Sequence, residues 1–118
     1  MSILTTLLAT LVALEHLYIF YLETIANQSG TTSRVFRMQK EELERSSVDK
    51  LFKNQGVYNG LLALFLLYGI HFSKNIELVI VFLIFVVAAA SYGALTANKK
   101  ILFTQGGPAI LALLSFLL

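Results

Sequence analysis

The chain alternates between long apolar stretches and shorter polar segments. Four stretches consist almost entirely of apolar residues, namely 3–26, 55–72, 76–97 and 105–118. At ~1.5 Å per residue, an α-helix over the first stretch is long enough to cross a hydrocarbon core of ~30 Å. The pattern therefore predicts an all-α polytopic membrane protein, a bundle of four transmembrane helices in a single domain, residues 1–118, whose last helix is short and ends at the far interface.

A polar segment, residues 27–54, follows the first predicted helix and holds most of the chain's charged residues. Ser33 is suited to cap a short helix there. The apolar residues of the segment form a partial stripe: Val35, Phe36, Met38 and Leu43. We interpret the segment as an amphipathic loop helix on the membrane surface, with docking of a soluble partner as the alternative.

Composition supports a membrane protein and narrows the chemistry. Hydrophobic residues make up 57% of the 118 residues and the mean hydropathy is +0.75, more than a small water-soluble domain can bury. The net charge of +2 is too small to indicate nucleic acid as a partner, so we expect the lipid bilayer instead. The absence of cysteine excludes disulfides, thiolate metal sites and cysteine nucleophiles.

Orientation follows from the distribution of Lys and Arg. Eight of the nine lie in two segments, six within residues 27–54 and two at Lys99 and Lys100. The positive-inside rule places these segments in the cytoplasm and both termini outside. We therefore expect a multi-pass membrane protein with both basic segments on the cytoplasmic side.

Polar residues recur within the predicted helices, where ionisable groups are costly and are candidates for function. Most of them fall at one level of the cytoplasmic leaflet, which predicts a polar vestibule that binds a solute. Glu15 and His16 lie deeper, near the midplane, where a carboxyl group beside an imidazole can exchange a proton. The candidate residues for solute binding or proton coupling are Glu15, His16, Glu23, Gln55, Tyr58, Asn59, Tyr92 and Gln105.

The same residues also have a structural interpretation. Glu15 can be protonated and hydrogen-bonded between helices, His16 can be an interhelical donor, and the amide and hydroxyl groups can join helices in the membrane. Glu23 lies near enough to the interface to reach water or to pair with Lys53 or Lys99. Glu15, His16 and Glu23 together offer at most a weak metal site, so we expect no metal and no cofactor.

Small residues predict close helix contacts. Gly56 and Gly60 form a GxxxG motif, a spacing that lets the backbones of two helices approach each other. The partner helix belongs either to the same chain or to a second copy in a homodimer.

Several short motifs, spread over nearly the whole chain, resemble those of the bacterial membrane-protein family catalogued as domain of unknown function 1304. The resemblance rests on Glu15-His16-Leu17-Tyr18, Glu23, Asn54-Gln55-Gly56-Val57-Tyr58-Asn59-Gly60, Tyr92-Gly93-Ala94-Leu95 and Gln105-Gly106-Gly107-Pro108-Ala109. That family is similar in architecture to DoxX-like four-helix membrane proteins. The resemblance implies a small inner-membrane protein without an agreed activity.

Three functional hypotheses follow from these features. The first is binding or transport of a small polar or cationic solute through the vestibule, with proton coupling at Glu15. The second is an intramembrane acid–base enzyme of isomerase type on a lipid-soluble substrate, with Glu15 or Glu23 as acid or base and His16, Tyr58 and Asn59 polarising the substrate. The third is an accessory membrane subunit whose polar segment, residues 27–54, docks a soluble partner.

Overall fold

The structure, a computed structural model, describes residues 1–118 as helices and short turns without β-strands. The prediction of an all-α protein is confirmed. The helices are α1 (Ile3–Phe20), α2 (Gly30–Phe36), α3 (Lys40–Leu43), α4 (Ser46–Leu67), α5 (Ile76–Thr96), α6 (Lys100–Thr104) and α7 (Gly106–Ser115). A π-helical turn extends α1 over Tyr21–Ile25 and another extends α4 over Tyr68–Phe72.

Two helical segments are long and apolar enough to cross a membrane, Ile3–Ile25 and Ile76–Thr96, on length and composition. Gly106–Ser115 is a shorter apolar helix. The two long segments are the structural evidence for a membrane location. The four-helix membrane arrangement stays a prediction.

The helix predicted over 55–72 begins earlier in the structure. α4 starts at Ser46, and its first turns are polar, with Asp49 close to the N-terminal end where the helix dipole favours a negative charge. Phe52 on one of these early turns packs edge-on against Phe36, with ring centroids 5.1 Å apart. The start of the apolar stretch therefore does not mark the start of the helix.

The polar segment after α1 is built differently from its prediction. Ser29, not Ser33, caps the short helix, because its Oγ accepts a hydrogen bond of 3.1 Å from the Thr32 N–H. Ser33 instead donates from its hydroxyl to the Met38 carbonyl at 2.6 Å. Leu43 of the predicted apolar stripe is 1% exposed and Val35 is 54% exposed, so the stripe does not form one face.

The chain divides into two compact units, which we call the Glu23 unit and the terminal unit. The Glu23 unit comprises residues 16–62, and the terminal unit comprises residues 1–15 with residues 63–118. In the Glu23 unit, α2 packs against α3 and against the π-helical turn of α1. In the terminal unit, α5 packs against α6 and α7.

Polar groups lie inside the terminal unit. The Thr5 hydroxyl on α1 and the Ser115 hydroxyl on α7 are hydrogen-bonded at 2.6 Å, and both residues are buried. The Thr10 hydroxyl lies 2.9 Å from His71 Nε2, which ties α1 to the π-helical turn that follows α4. Hydroxyl and imidazole groups thus join helices within this unit.

Candidate functional site

A buried carboxylate, Glu23, is the centre of the candidate site. Glu23 lies on the π-helical turn of α1 and is 4% exposed. The Asn59 side-chain nitrogen on α4 donates to Glu23 Oε1 at 2.6 Å, and also contacts the Gln55 carbonyl at 3.3 Å. Neither Lys nor Arg forms an ion pair with Glu23, and the nearby Lys53 is paired with Asp49. Glu23 is therefore a buried carboxyl group that accepts a hydrogen bond from an amide and has no Lys or Arg partner.

The π-helical turn changes the backbone hydrogen bonds beside Glu23. The Ala26 N–H donates to the Tyr21 carbonyl at 2.8 Å, five residues back, instead of to Leu22. The Thr32 hydroxyl of α2 contacts the Leu22 carbonyl at 2.9 Å and the Ala26 carbonyl at 2.7 Å. Thr32 is fully buried, and its hydroxyl contacts the Leu22 carbonyl, which the altered turn deprives of the Ala26 N–H, and the Ala26 carbonyl, which also accepts from the Ser29 N–H.

Two glycines bring α4 against α1 at this site. A Cβ on Gly56 would lie 1.9 Å from Thr24 Oγ1 and 3.0 Å from the Glu23 Cβ. A Cβ on Gly60 would lie 3.0 Å from Phe20 Cδ1. The close helix contact predicted for the GxxxG motif is therefore present within one chain.

A polar cluster around Asp49 joins the start of α4 to the turn that follows the π-helical turn of α1. Asp49 Oδ1 accepts hydrogen bonds from the side-chain nitrogens of Asn27 and Gln28, the second at 3.2 Å. Lys53 Nζ lies 3.0 Å from Asp49 Oδ2, and the Lys53 carbonyl accepts from the Thr24 hydroxyl at 3.0 Å. The hydrogen bond from Asn27, followed by the contact with Lys53, lowers the pKa of Asp49 below its ordinary value.

This cluster corrects the predicted pairing of Glu23. Lys53 was a predicted ion-pair partner of Glu23, and the structure pairs it with Asp49. Asp49 and Lys53 are four residues apart on one helix, the spacing at which opposite charges meet. The observed partner of Glu23 is the amide of Asn59 and not a lysine.

The other predicted residues of the Glu23 unit differ in exposure. His16 is 5% exposed and belongs, with Glu23, to the buried side of α1. Gln55 is exposed, and its backbone carbonyl accepts from Asn59. Tyr58 is 76% exposed on the outer surface of α4. Within this unit the structure brings together Glu23 and Asn59, with the Gln55 backbone beside them.

Three predicted residues belong to the terminal unit. Glu15 is partly exposed as a residue, yet its Oε1 atom is buried and has no hydrogen-bond partner. Tyr92 is 70% exposed on α5. Gln105 lies between α6 and α7, where the helix is interrupted. The structure has no group of three or more His, Cys, Asp or Glu side chains arranged to hold a metal ion.

Sequence reasoning named Glu23 and Asn59 but missed three nearby side chains, those of Thr24, Thr32 and Asp49. Thr24 and Thr32 were not singled out, because threonine at the end of an apolar helix or in a polar segment has no distinctive pattern. Asp49 could have been found from its spacing of four residues to Lys53, which predicts an ion pair on one helix. The helical spacing places Asn27 on one stripe with His16 and Glu23, and the structure adds its hydrogen bond to Asp49.

Fold and site together define an all-helical protein with two membrane-length apolar helices and a buried carboxylate–amide pair. The chain belongs to the family described as "Protein of unknown function (DUF1304)", whose family model matches residues 10–117. It is 63% identical over 116 residues to "Uncharacterized protein YpaA" of Lactococcus lactis subsp. lactis (strain IL1403), covering 98% of each chain. No solved structure matches the chain.

Proposed function

We propose that this chain is a four-helix protein of the cytoplasmic membrane that binds a small cationic solute at Glu23 and carries it across the bilayer. The observation that carries the proposal is the Glu23 carboxyl group, which is buried, accepts a hydrogen bond from Asn59 and has no Lys or Arg as an ion-pair partner. A buried charge is costly unless it is paired, so such a group favours either a proton or a cationic ligand.

Exposed apolar side chains support four spanning helices. Seven large ones follow the outer side of α1 and its π-helical turn at helical spacing: Leu4, Leu7, Leu11, Leu14, Tyr18, Tyr21 and Ile25. The later helices also expose large apolar residues: Val57, Leu61, Leu64, Phe65 and Phe72 after the polar start of α4, Val81, Ile84 and Phe85 on α5, and Leu111 and Leu114 on α7. Soluble monomers rarely expose so much contiguous apolar surface, whereas lipid-facing helices do.

The last proposed span combines α6 and α7. Pro108 has no N–H to donate to the Thr104 carbonyl, which explains why the helix is interrupted at Gln105. Residues 100–115 together rise by ~24 Å, against ~15 Å for Gly106–Ser115 alone. With the three residues that follow, this length approaches a hydrocarbon core of ~30 Å.

The proposed orientation has residues 27–54 and the Lys99–Lys100 pair in the cytoplasm and both termini outside, because these segments hold most of the positive charges. We also propose that the architecture of the chain is similar to that of DoxX-like four-helix membrane proteins. Glu23 then lies toward the cytoplasmic end of α1, and the solute enters from the cytoplasmic side.

The atoms around Glu23 favour a cation with N–H donors. Asn59 donates to Oε1 of Glu23, which leaves Glu23 Oε2 and the Asn59 carbonyl oxygen as acceptors. A carboxylate and an amide oxygen together accept from a guanidinium-like or ammonium-like group. Asn59 is partly exposed, so the pair is open on that side.

Glu15 is the proposed site of proton coupling. Its buried Oε1 atom has no hydrogen-bond partner, an exception among buried polar atoms that a change of protonation or conformation would relieve. In this proposal Glu15 takes up a proton when the cationic solute leaves Glu23. The proton then replaces the positive charge of the solute, so the net charge of the protein with its ligands stays the same.

Flux into proteoliposomes tests the proposal. The purified protein is reconstituted with a pH-sensitive dye inside, and guanidinium, which stays charged at all working pH values, is added outside. We expect guanidinium uptake with a proton countermovement for the unmodified chain. Glu23→Gln should abolish the uptake, and Glu15→Gln should uncouple it from protons.

Glu77→Gln is the matched control, since Glu77 is an exposed carboxylate in the first turn of α5. It should leave flux unchanged. Equal guanidinium uptake by the unmodified chain and Glu23→Gln, or uptake no greater than that of empty liposomes, would overturn the proposal.

A further inference from the structure

An amphipathic cleft lies in the terminal unit between the end of α5 and α6. It has one basic residue, no acidic residue and a largely apolar wall; its lining is Ser91, Ala94, Leu95, Lys99, Leu102 and Phe103. None of its lining residues belongs to the Glu23 unit, and the cleft is not used in the proposed solute binding.

Close packing holds the two walls of the cleft in place. A Cβ on Gly93 would lie 3.2 Å from Ile101 Cγ2, so the absence of a side chain seats Ile101 of α6 against α5. A Cβ on Gly106 would lie 3.2 Å from the Ala90 Cβ, so the start of α7 packs closely against α5 in the same way. The side of α6 turned away from these contacts presents Phe103, which is 76% exposed.

The cleft is positively charged at one end and apolar along the rest. Lys99 and its neighbour Lys100 are exposed, and neither has an acidic side chain in salt-bridge contact, since the structure's one salt bridge is elsewhere. Ser91 lies five residues before the end of α5 at Thr96, and Lys99 lies three residues beyond that end. Leu95, between them, is 86% exposed.

We propose that this cleft binds one anionic phospholipid, with its phosphate on Lys99 and the upper part of one acyl chain against Leu95, Leu102 and Phe103. Charge complementarity selects the headgroup, because the lining has a cation and no carboxylate. The position selects a lipid, because the cation lies just beyond the end of the apolar α5 helix, where headgroups lie if that helix spans the bilayer. The site needs α5 to span the bilayer, and it does not depend on the solute proposal.

Native mass spectrometry in detergent tests the site. The purified full chain is titrated with dioleoyl phosphatidylglycerol and, in parallel, with dioleoyl phosphatidylcholine. We expect one phosphatidylglycerol to be retained in preference to phosphatidylcholine. Lys99→Gln should weaken phosphatidylglycerol binding about fivefold, as expected for loss of one lysine near an anionic headgroup.

Two further variants separate the parts of the site. Phe103→Ser changes an exposed side chain, so the fold should persist while phosphatidylglycerol retention falls. Lys50→Gln removes an equal charge from the polar segment and should leave retention unchanged. Equal binding of the two lipids, no effect of Lys99→Gln, or displacement of the lipid by millimolar inorganic phosphate alone would overturn the proposal.

Discussion

Gly56 on α4 lies so close to Thr24 on α1 that a Cβ added to Gly56 would come within 1.9 Å of Thr24 Oγ1. The contact allows Asn59, one turn later on α4, to reach Glu23 with a hydrogen bond of 2.6 Å. The glycine therefore serves the site through its lack of a side chain, since any larger residue must push the two helices apart.

Gly56→Ala should destabilise the protein by about 1–3 kcal/mol, because the added methyl group overpacks the contact with Thr24. The higher helix propensity of alanine offsets only about 0.5–1 kcal/mol of this loss. The free energy of unfolding, measured by denaturant titration in detergent, checks the value.

Gly107→Ala is the matched control for this change. A Cβ on Gly107 has nothing within 4 Å, so the substitution should be neutral or slightly stabilising. Adding Thr24→Ala to Gly56→Ala should restore part of the stability, because it removes the oxygen that the new methyl group meets. A Gly56→Ala protein as stable as Gly107→Ala would contradict the close contact.

Thr32→Val tests the hydroxyl that supports the π-helical turn. The variant keeps the shape of the buried side chain and removes its hydrogen bonds to the Leu22 and Ala26 carbonyls, so we expect a loss of about 1–3 kcal/mol. Thr31→Val, on the same helix and partly exposed, should change the free energy of unfolding by less than about 0.5 kcal/mol. Similar losses in both variants would mean that the Thr32 hydroxyl has no special role.

The hydrophobic pattern predicted the long apolar helices closely and the polar segment poorly. The stretches predicted at 3–26 and 76–97 each extend one residue past the segments Ile3–Ile25 and Ile76–Thr96, because exclusion from water leaves a strong compositional signal. The polar segment folds through individual hydrogen bonds, such as the Ser29 cap, which composition does not record. Ser33 has the same capping chemistry, so the sequence offers two equivalent choices.

The candidate site was predictable in part for a similar reason. The cost of a carboxyl group in an apolar helix singles out Glu23 from sequence alone. The partner of Glu23 depends on how α4 is rotated about its axis and how closely α4 approaches α1. Neither can be read from the sequence. Lysine was the electrostatic choice, but Lys53 is held by Asp49 one turn earlier on its own helix, which leaves the amide of Asn59 for Glu23.

Glu23→Gln and Asn59→Leu should have unequal effects on stability. A glutamine carbonyl still accepts from Asn59, so Glu23→Gln should preserve the fold. Asn59→Leu leaves the buried Glu23 without its donor and should cost about 1–3 kcal/mol. Because Glu23→Gln keeps this hydrogen bond, the coupling energy is measured with Glu23→Leu, Asn59→Leu and the double variant, and is expected at about 0.5–3 kcal/mol.

Tyr58→Leu is the control for this pair, because Tyr58 is the neighbour of Asn59 and is 76% exposed. Its effect should be near zero. Additive effects of Glu23→Leu and Asn59→Leu would show that the two side chains act independently.

Asp49 should make stability depend on pH in the acidic range. Its pKa in the folded protein lies below the ordinary value of 3.8, because Asn27 and Lys53 stabilise the charged form. The unfolded chain therefore takes up the proton first as the pH falls. The contribution of Asp49 is complete above its ordinary pKa and is lost as the pH falls through the lower folded value.

Thermal unfolding from about pH 6 to about pH 2.5 measures this loss. The other carboxyl groups titrate as well, so the result is the difference between the unmodified chain and Asp49→Asn. The difference should be constant near neutral pH and shrink below about pH 4, and it should also shrink in high salt because Asp49 is only partly buried. A difference that grows as the pH falls would contradict the lowered pKa.

The number of spanning helices can be decided with single cysteines, because the chain has none of its own. Ser47→Cys lies at the start of α4 and Ser73→Cys lies just after its π-helical turn, and both positions are exposed. Four spans put these positions on opposite sides of the membrane. A membrane-impermeant maleimide should then label Ser73→Cys in intact cells, and Ser47→Cys only after the membrane is opened.

Two spans, formed by α1 and α5 alone, predict a different result, since the whole chain between them would lie on one side. Both cysteines would then label together, either in intact cells or only after opening. Ser2→Cys, at the N-terminus, reports the outside in either arrangement if the positive-inside rule holds. Opposite accessibility of Ser47→Cys and Ser73→Cys would show that the polar start of α4 leads into a helix that crosses the bilayer, because 27 residues, from Ser46 to Phe72, connect the two ends.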